Sequence, residues 1–235
     1  MKLKAVLFDL DGTLLPMDNK AFAESYFSAF AKTMKRYGWS EDQAVESILR
    51  AIKTTQANDG LQTNEQVYLS AFLGREEALD QGKGYFDDFY GHEFEQVRFT
   101  CGYNVKAKQT VDVIKSLGYR VALATSPLFP KIAIEKRMEW AGFTPKDFEF
   151  YTTYEDHRFC KPDPRYYGEV AARLGLKAEE CLMVGNDVVD DMSAEKARMK
   201  VFLLTDCIKN DIGADISAYP KGDLDGLLEY VKILN

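Results

Sequence analysis

Lys4-Ala5-Val6-Leu7-Phe8-Asp9-Leu10-Asp11-Gly12-Thr13 is the stretch that decides the fold. Ala5 to Phe8 is an unbroken apolar run, the pattern of a strand buried on both faces of a parallel sheet. The polar residues that follow fall at its carboxyl end, where open α/β sheets bind ligands. Asp9 and Asp11, with Gly12 and Thr13 beside them, suit a hard divalent cation and a phosphate. One carboxylate can attack a phosphorus atom while the other handles the proton. An acidic turn would use Asp and Gly as well, but the position directly after an apolar strand favours the chemical reading.

The rest of the chain extends the α/β pattern. Residues 106–117, 131–141 and 165–174 carry apolar side chains at helical spacing, and each ends at a glycine (Gly118, Gly142, Gly175) able to take the left-handed C′ conformation. Between them lie short apolar runs at Val121–Ala124, Phe148–Tyr151, Cys181–Val184 and Val201–Leu204. Strands alternating with helices of this length predict βαβ units, a Rossmann-like parallel sheet flanked by helices. A last helix is expected over about Asp223 to Leu234.

Residues 16–99 read differently. Asn19 to Tyr37, Ser40 to Gln56, Thr63 to Leu73 and Arg75 to Phe94 read as helices, with no convincing strand. Ser40 with Gln43, and Thr63 with Gln66, have the spacing of capping boxes. The expected organisation is an α/β core of residues 1–15 and 100–235 with an all-helical insert at 16–99. The many aromatic residues of the insert, at helical spacings, are expected to pack against each other rather than form a ligand box.

Composition narrows the function classes. The 235 residues are 46% hydrophobic and 29% charged, ordinary values for a globular protein. A formal net charge of −7 argues against general affinity for nucleic acid or anionic membranes. Cys101, Cys160, Cys181 and Cys207 show no metal or redox spacing, and with His92 and His157 as the sole histidines a zinc site is not expected. The thiols are expected to be free in a reducing compartment. No apolar run approaches membrane length and the first strand begins at once, so a cytoplasmic enzyme is expected.

Three further stretches carry polar residues where the first motif would need them. Thr125-Ser126 ends the second apolar run. Cys160-Lys161-Pro162-Asp163-Pro164 precedes a helix, with prolines restricting its backbone at two positions. Gly185-Asn186-Asp187-Val188-Val189-Asp190-Asp191 follows a third run with oxygen donors for Mg²⁺, although Asn and Asp are also favoured as helix caps.

With these four stretches the chain resembles the haloacid dehalogenase superfamily, most of whose members are magnesium-dependent phosphatases. The resemblance implies that Asp9 is the nucleophile and forms an aspartyl-phosphate, while Asp11 protonates the leaving oxygen and then takes a proton from water. It implies Mg²⁺ held by the Asp9 side chain and the Asp11 backbone carbonyl. Gly12 would let the backbone turn beneath the phosphate, and Thr13 would hydrogen-bond within the loop and orient Asp11. Thr125 and Ser126 would bind phosphate oxygens, and Lys161 would neutralise both the phosphate and Asp9. Cys160 is set aside as incidental. The fourth stretch departs from the family's Gly-Asp form. Aligned without a gap, Asn186 takes the first acidic position and Asp191 the second; shifted by one, Asp187 takes the first. Asn186 and Asp187 are the candidates for the direct ligand, with Asp191 in or near the outer shell and Asp190 as a spare.

The same scaffold hosts several reactions. Asp11 argues against a dehalogenase and against phosphonate cleavage. A sugar-phosphate mutase would usually have Val or Ile in place of Thr13. In the family the helical insert would be a cap that closes over a small phosphorylated metabolite, with hinges near residues 15–17 and 98–102. Phosphoglycolate phosphatase-like enzymes and nucleotidases fit this outline. A relative that binds a phosphorylated ligand without turnover is the alternative of a different class. The physiological substrate and the oligomeric state are not legible in one sequence.

Overall fold

The computed structural model describes residues 2–74 and 79–234. Its centre is a five-stranded sheet in the order β2-β1-β3-β4-β5, with every pairing parallel. The strands are β1 (Ala5–Phe8), β2 (Arg120–Leu123), β3 (Cys181–Gly185), β4 (Lys200–Leu204) and β5 (Lys221–Gly222). Strand side chains alternate between two cores. Val6, Phe8, Val121, Leu123, Leu182, Val184, Phe202 and Leu204 enter one, and Ala5, Leu7, Ala122, Cys181, Met183, Val201 and Leu203 the other. Burial on both faces is why these runs are continuously apolar.

Helices cover each face. Helices α5 (Val105–Ser116), α6 (Lys131–Trp140) and α8 (Leu224–Ile233) pack on the first core. Helix α7 (Pro164–Arg173) and the 3₁₀ turn Met192–Ala197 pack on the second. Parallel register sets Phe8 opposite both Leu123 and Val184. Asp9, Thr125 and Asn186 therefore emerge at the same edge of the sheet.

Two details differ from the sequence reading. Phe148–Tyr151 is not a ladder strand: it lies beside β2, with Leu123 N–H donating to the Phe150 carbonyl (3.0 Å), but forms a single parallel bridge at Tyr151. Directly beyond it the Thr152 hydroxyl turns to the Thr125 carbonyl, so the chain there braces the sheet edge rather than extending the sheet. The short edge strand β5 has no apolar pattern and was not expected; it pairs through Leu203 N–H to the Pro220 carbonyl (2.9 Å) and Thr205 N–H to the Gly222 carbonyl (3.0 Å).

Between β1 and α5 the described residues form helices without a ladder strand: α1 (Asn19–Lys35), α2 (Glu41–Gln56), α3 (Asn64–Leu73) and α4 (Leu79–Asp88), then a π turn and a 3₁₀ turn running to Thr100. Residues 75–78 of the helix expected from Arg75 lie outside the described residues. Both capping boxes are formed, and Asp18 caps α1 through the N–H groups of Lys20 and Ala21. The aromatic residues pack on one another, with Phe30 stacked on Phe86 at 5.2 Å and edge-on to Phe89 at 5.2 Å. The two connections to the sheet run side by side, with Met17 bridged to Cys101 and Gly102 N–H donating to the Pro16 carbonyl at 2.7 Å.

Candidate active site

Asp9, Asp11, Thr125, Ser126, Lys161, Asn186, Asp187 and Asp191 line one cavity of about 160 Å³, together with Asn19, Asp190 and Lys209. The carboxyl ends of β1, β2 and β3 deliver most of them, and Lys161 arrives from the loop before α7. Asp163 caps that helix through Arg165 N–H (2.8 Å), and Pro164 occupies its first turn.

Lys161 is the electrostatic centre. It is 2% exposed, and its ammonium donates to Asp9 Oδ1 at 2.8 Å and Asp191 Oδ1 at 2.6 Å. Burial opposes the charge on Lys161, but Asp191 and Asp9 outweigh it and raise its pKa well above the ordinary value. Burial pushes the Asp191 carboxyl up to about 7, with Lys161 pulling the other way. In this cluster we take the ammonium as charged, because two carboxylates face it within hydrogen-bond distance. Asp191 Oδ2 also accepts the Asp187 N–H at 2.9 Å, so it ties Lys161 to the loop after β3. That contact needs Gly185: a Cβ there would lie 2.1 Å from the Asp191 carboxyl carbon.

Gly12 and Thr13 serve the loop rather than the cavity wall. Gly12 has φ +78°, and a Cβ would fall 2.2 Å from Asn186 Nδ2. The Thr13 hydroxyl donates to Asn186 Oδ1 at 3.0 Å and reaches Asp9 Oδ2 at 3.5 Å. Thr13 thus touches Asp9 and Asn186, where the resemblance implied that it orients Asp11. Asn186 completes the brace by donating Nδ2 to the Cys207 carbonyl at 2.7 Å.

Asp11 is held by a residue that the sequence reading did not single out. The guanidinium of Arg137 on α6, wholly buried and stacked over the Phe129 ring at 4.2 Å, is ion-paired to Asp11 Oδ2. Asp11 Oδ1 is buried with no protein partner. Burial raises the Asp11 pKa, while Arg137 opposes the shift. The clue lay in the helix pattern, because Arg137 interrupts the buried stripe of Ile134, Met138 and Ala141.

Lys209, also missed, follows β4 and donates to Asp187 Oδ2 at 2.6 Å. Burial works against its charge, but the bond to Asp187 raises its pKa overall. No periodicity marks it; its one signal is its place after the last long strand of a sheet whose carboxyl ends carry the site. Asp190, the spare of the sequence reading, lines the cavity, and its carboxyl is pushed up by burial and by Asp187. The donors converging here are hard oxygens; Asp11 Oδ1 has no partner, and Asp9 Oδ2 accepts a long 3.5 Å contact from Thr13. Such a set suits Mg²⁺ better than a soft metal.

A family model described as haloacid dehalogenase-like hydrolase matches residues 3–198. The chain belongs to the haloacid dehalogenase-like hydrolases. It is 25% identical over 236 residues to the pyrophosphatase PpaX of Bacillus cereus (strain AH820), covering 100% of this chain and 98% of that one. It is 26% identical over 216 residues to a phosphoglycolate phosphatase of Vibrio parahaemolyticus, covering 86% and 84%. Among solved structures, one described as a predicted phosphoglycolate phosphatase from Haemophilus somnus 129pt superimposes with a TM-score of 0.59 at 20% identity, over 98% of both chains. That likeness bears on the fold alone.

Proposed function

We propose that this protein is a Mg²⁺-dependent phosphatase that hydrolyses a small phosphomonoester through an aspartyl-phosphate on Asp9. The observation that supports it most is the buried Lys161 shared by Asp9 and Asp191 beside the Asp11 carboxyl, all in one small cavity. The pyrophosphatase and phosphoglycolate phosphatase among the relatives favour phosphoryl chemistry. A cavity of about 160 Å³ favours a small substrate.

Asp9 Oδ1 is engaged by Lys161, which leaves Oδ2 to attack phosphorus as the ester P–O bond breaks. With Arg137 on Oδ2, the unpartnered Oδ1 of Asp11 is the atom that would pass a proton to the departing alkoxide, and burial shifts Asp11 in the direction this needs. Asp11, now a carboxylate, takes a proton from the water that attacks the aspartyl-phosphate, and this releases phosphate and restores Asp9. Lys161 neutralises phosphoryl oxygens, and the Thr125 hydroxyl and the Ser126 backbone N–H hold them, while Gly12 and Thr13 shape the loop that carries Asp9 and Asp11. Mg²⁺, held by Asp9, the Asp11 carbonyl and Asp187 or Asn186, would supply further positive charge to those oxygens, with Asp191 fixed on Lys161 outside them. Residues 16–99 would act as the cap, moving about the paired connections at 15–17 and 98–102. The four free thiols accord with a reducing, cytoplasmic setting.

The test is hydrolysis of a generic aryl phosphate. Turnover should require Mg²⁺, vanish in Asp9→Asn and fall roughly a hundredfold or more in Lys161→Ala. Full turnover by Asp9→Asn would overturn the assignment.

A further inference from the structure

Asp187 has no idle oxygen. Its Oδ1 accepts the N–H groups of Val189 (2.8 Å) and Asp190 (2.9 Å), and its Oδ2 accepts the Lys209 ammonium at 2.6 Å. The two residues are also fixed at the backbone by a parallel bridge: Lys209 N–H donates to the Asn186 carbonyl and Val188 N–H to the Lys209 carbonyl, both at 2.9 Å. The Cα of Lys209 therefore cannot drift from Asp187, while its side chain remains 41% exposed and free to change rotamer. Both residues line the cavity. A dication bound to Asp187 Oδ2 meets a cation already on that oxygen.

We propose that Lys209 is a tethered competitor of the divalent metal: the Lys209–Asp187 ion pair and metal ligation by Asp187 exclude each other, so Lys209 weakens metal binding and is released when metal binds. The competition is intramolecular, and its strength is that of a partly exposed ion pair. An ion pair of that kind changes an equilibrium by roughly twofold to fivefold. The inference rests on the Mg²⁺ reading above, with Asp187 as a ligand.

Mg²⁺ binding to the whole protein, measured by calorimetry and by the Mg²⁺-induced rise in melting temperature, tests it without recourse to activity. Lys209→Met, with Lys209→Gln as a second variant, should bind Mg²⁺ about two- to fivefold more tightly than the wild type. In an Asp187→Asn background, Lys209→Met should bring no tightening. Equal affinity in wild type and both Lys209 variants would overturn the proposal while leaving the metal reading intact. The same tightening in the Asp187→Asn background would also overturn it, because removal of a positive charge would then act without Asp187. Absence of Mg²⁺ binding in every protein would remove the metal reading and the competition with it. Binding by the Lys209 variants alone would support the competition in its strongest form.

Discussion

Arg137 and Asp11, 126 positions apart, are joined by an ion pair in which the guanidinium is wholly buried and the carboxyl still borders the cavity. Removing one member of a buried pair leaves the other uncompensated, at a cost of about 3 kcal/mol. Arg137→Met should lower unfolding free energy in urea by roughly that amount, and adding Asp11→Asn should restore part of it. A single variant as stable as the wild type would show that the pair does not form in solution.

Gly185 is the contact point of β3 with the Asp191 carboxylate. In Gly185→Ala the methyl group would occupy the space of that carboxylate, at 2.1 Å from Oδ2, and push it off Lys161. Turnover should drop at least tenfold, a loss of about 1.4 kcal/mol of transition-state stabilisation, with a lower melting temperature. Wild-type kinetics in this variant would mean that Asp191 does not need its position against Lys161.

Asn64, at the start of α3, reaches into the core. Its Nδ2 donates to the Pro127 carbonyl at 3.2 Å and the Phe159 carbonyl at 3.4 Å, and its Oδ1 accepts from Asn58 at 2.8 Å. The first two carbonyls belong to the loops that carry Thr125 and Lys161. Asn64→Asp keeps the shape but loses the donor, so it should cost about 1–3 kcal/mol of stability and lower turnover. Unchanged urea midpoint and unchanged turnover together would refute this clamp.

His157 is buried, with Nδ1 bonded to the Thr153 carbonyl at 3.1 Å and Nε2 without a partner. Burial, aided by Arg173, depresses its pKa from the ordinary 6.5 to about 4. The folded protein therefore binds fewer protons than the unfolded chain between those values. The stabilisation is complete above about 6.5 and is lost as pH falls toward 4, on the order of 3 kcal/mol in all. The stability difference between wild type and His157→Phe should change with pH across this window and be flat above it. A constant difference from pH 7 to pH 4 would contradict the buried neutral imidazole.

The sheet and four of its strands were legible in the sequence because burial on both faces demands unbroken apolar runs, and the helices were legible from their stripes and caps. The acidic and basic residues of the four motifs stood out because polar groups directly after apolar strands fall at the ligand-binding edge of a parallel sheet. The strand expected at Phe148–Tyr151 failed because a short apolar run does not say whether its backbone meets a full ladder. The partners of Arg137 and Lys209 were not legible for a related reason. Each cation is matched to its carboxylate by contacts across more than twenty residues of chain, and no local spacing encodes such a pairing. Local sequence thus determined which elements form and which edge is polar, while only the packed structure decided which cation neutralises which carboxylate, since that depends on distance and burial that the chain acquires on folding.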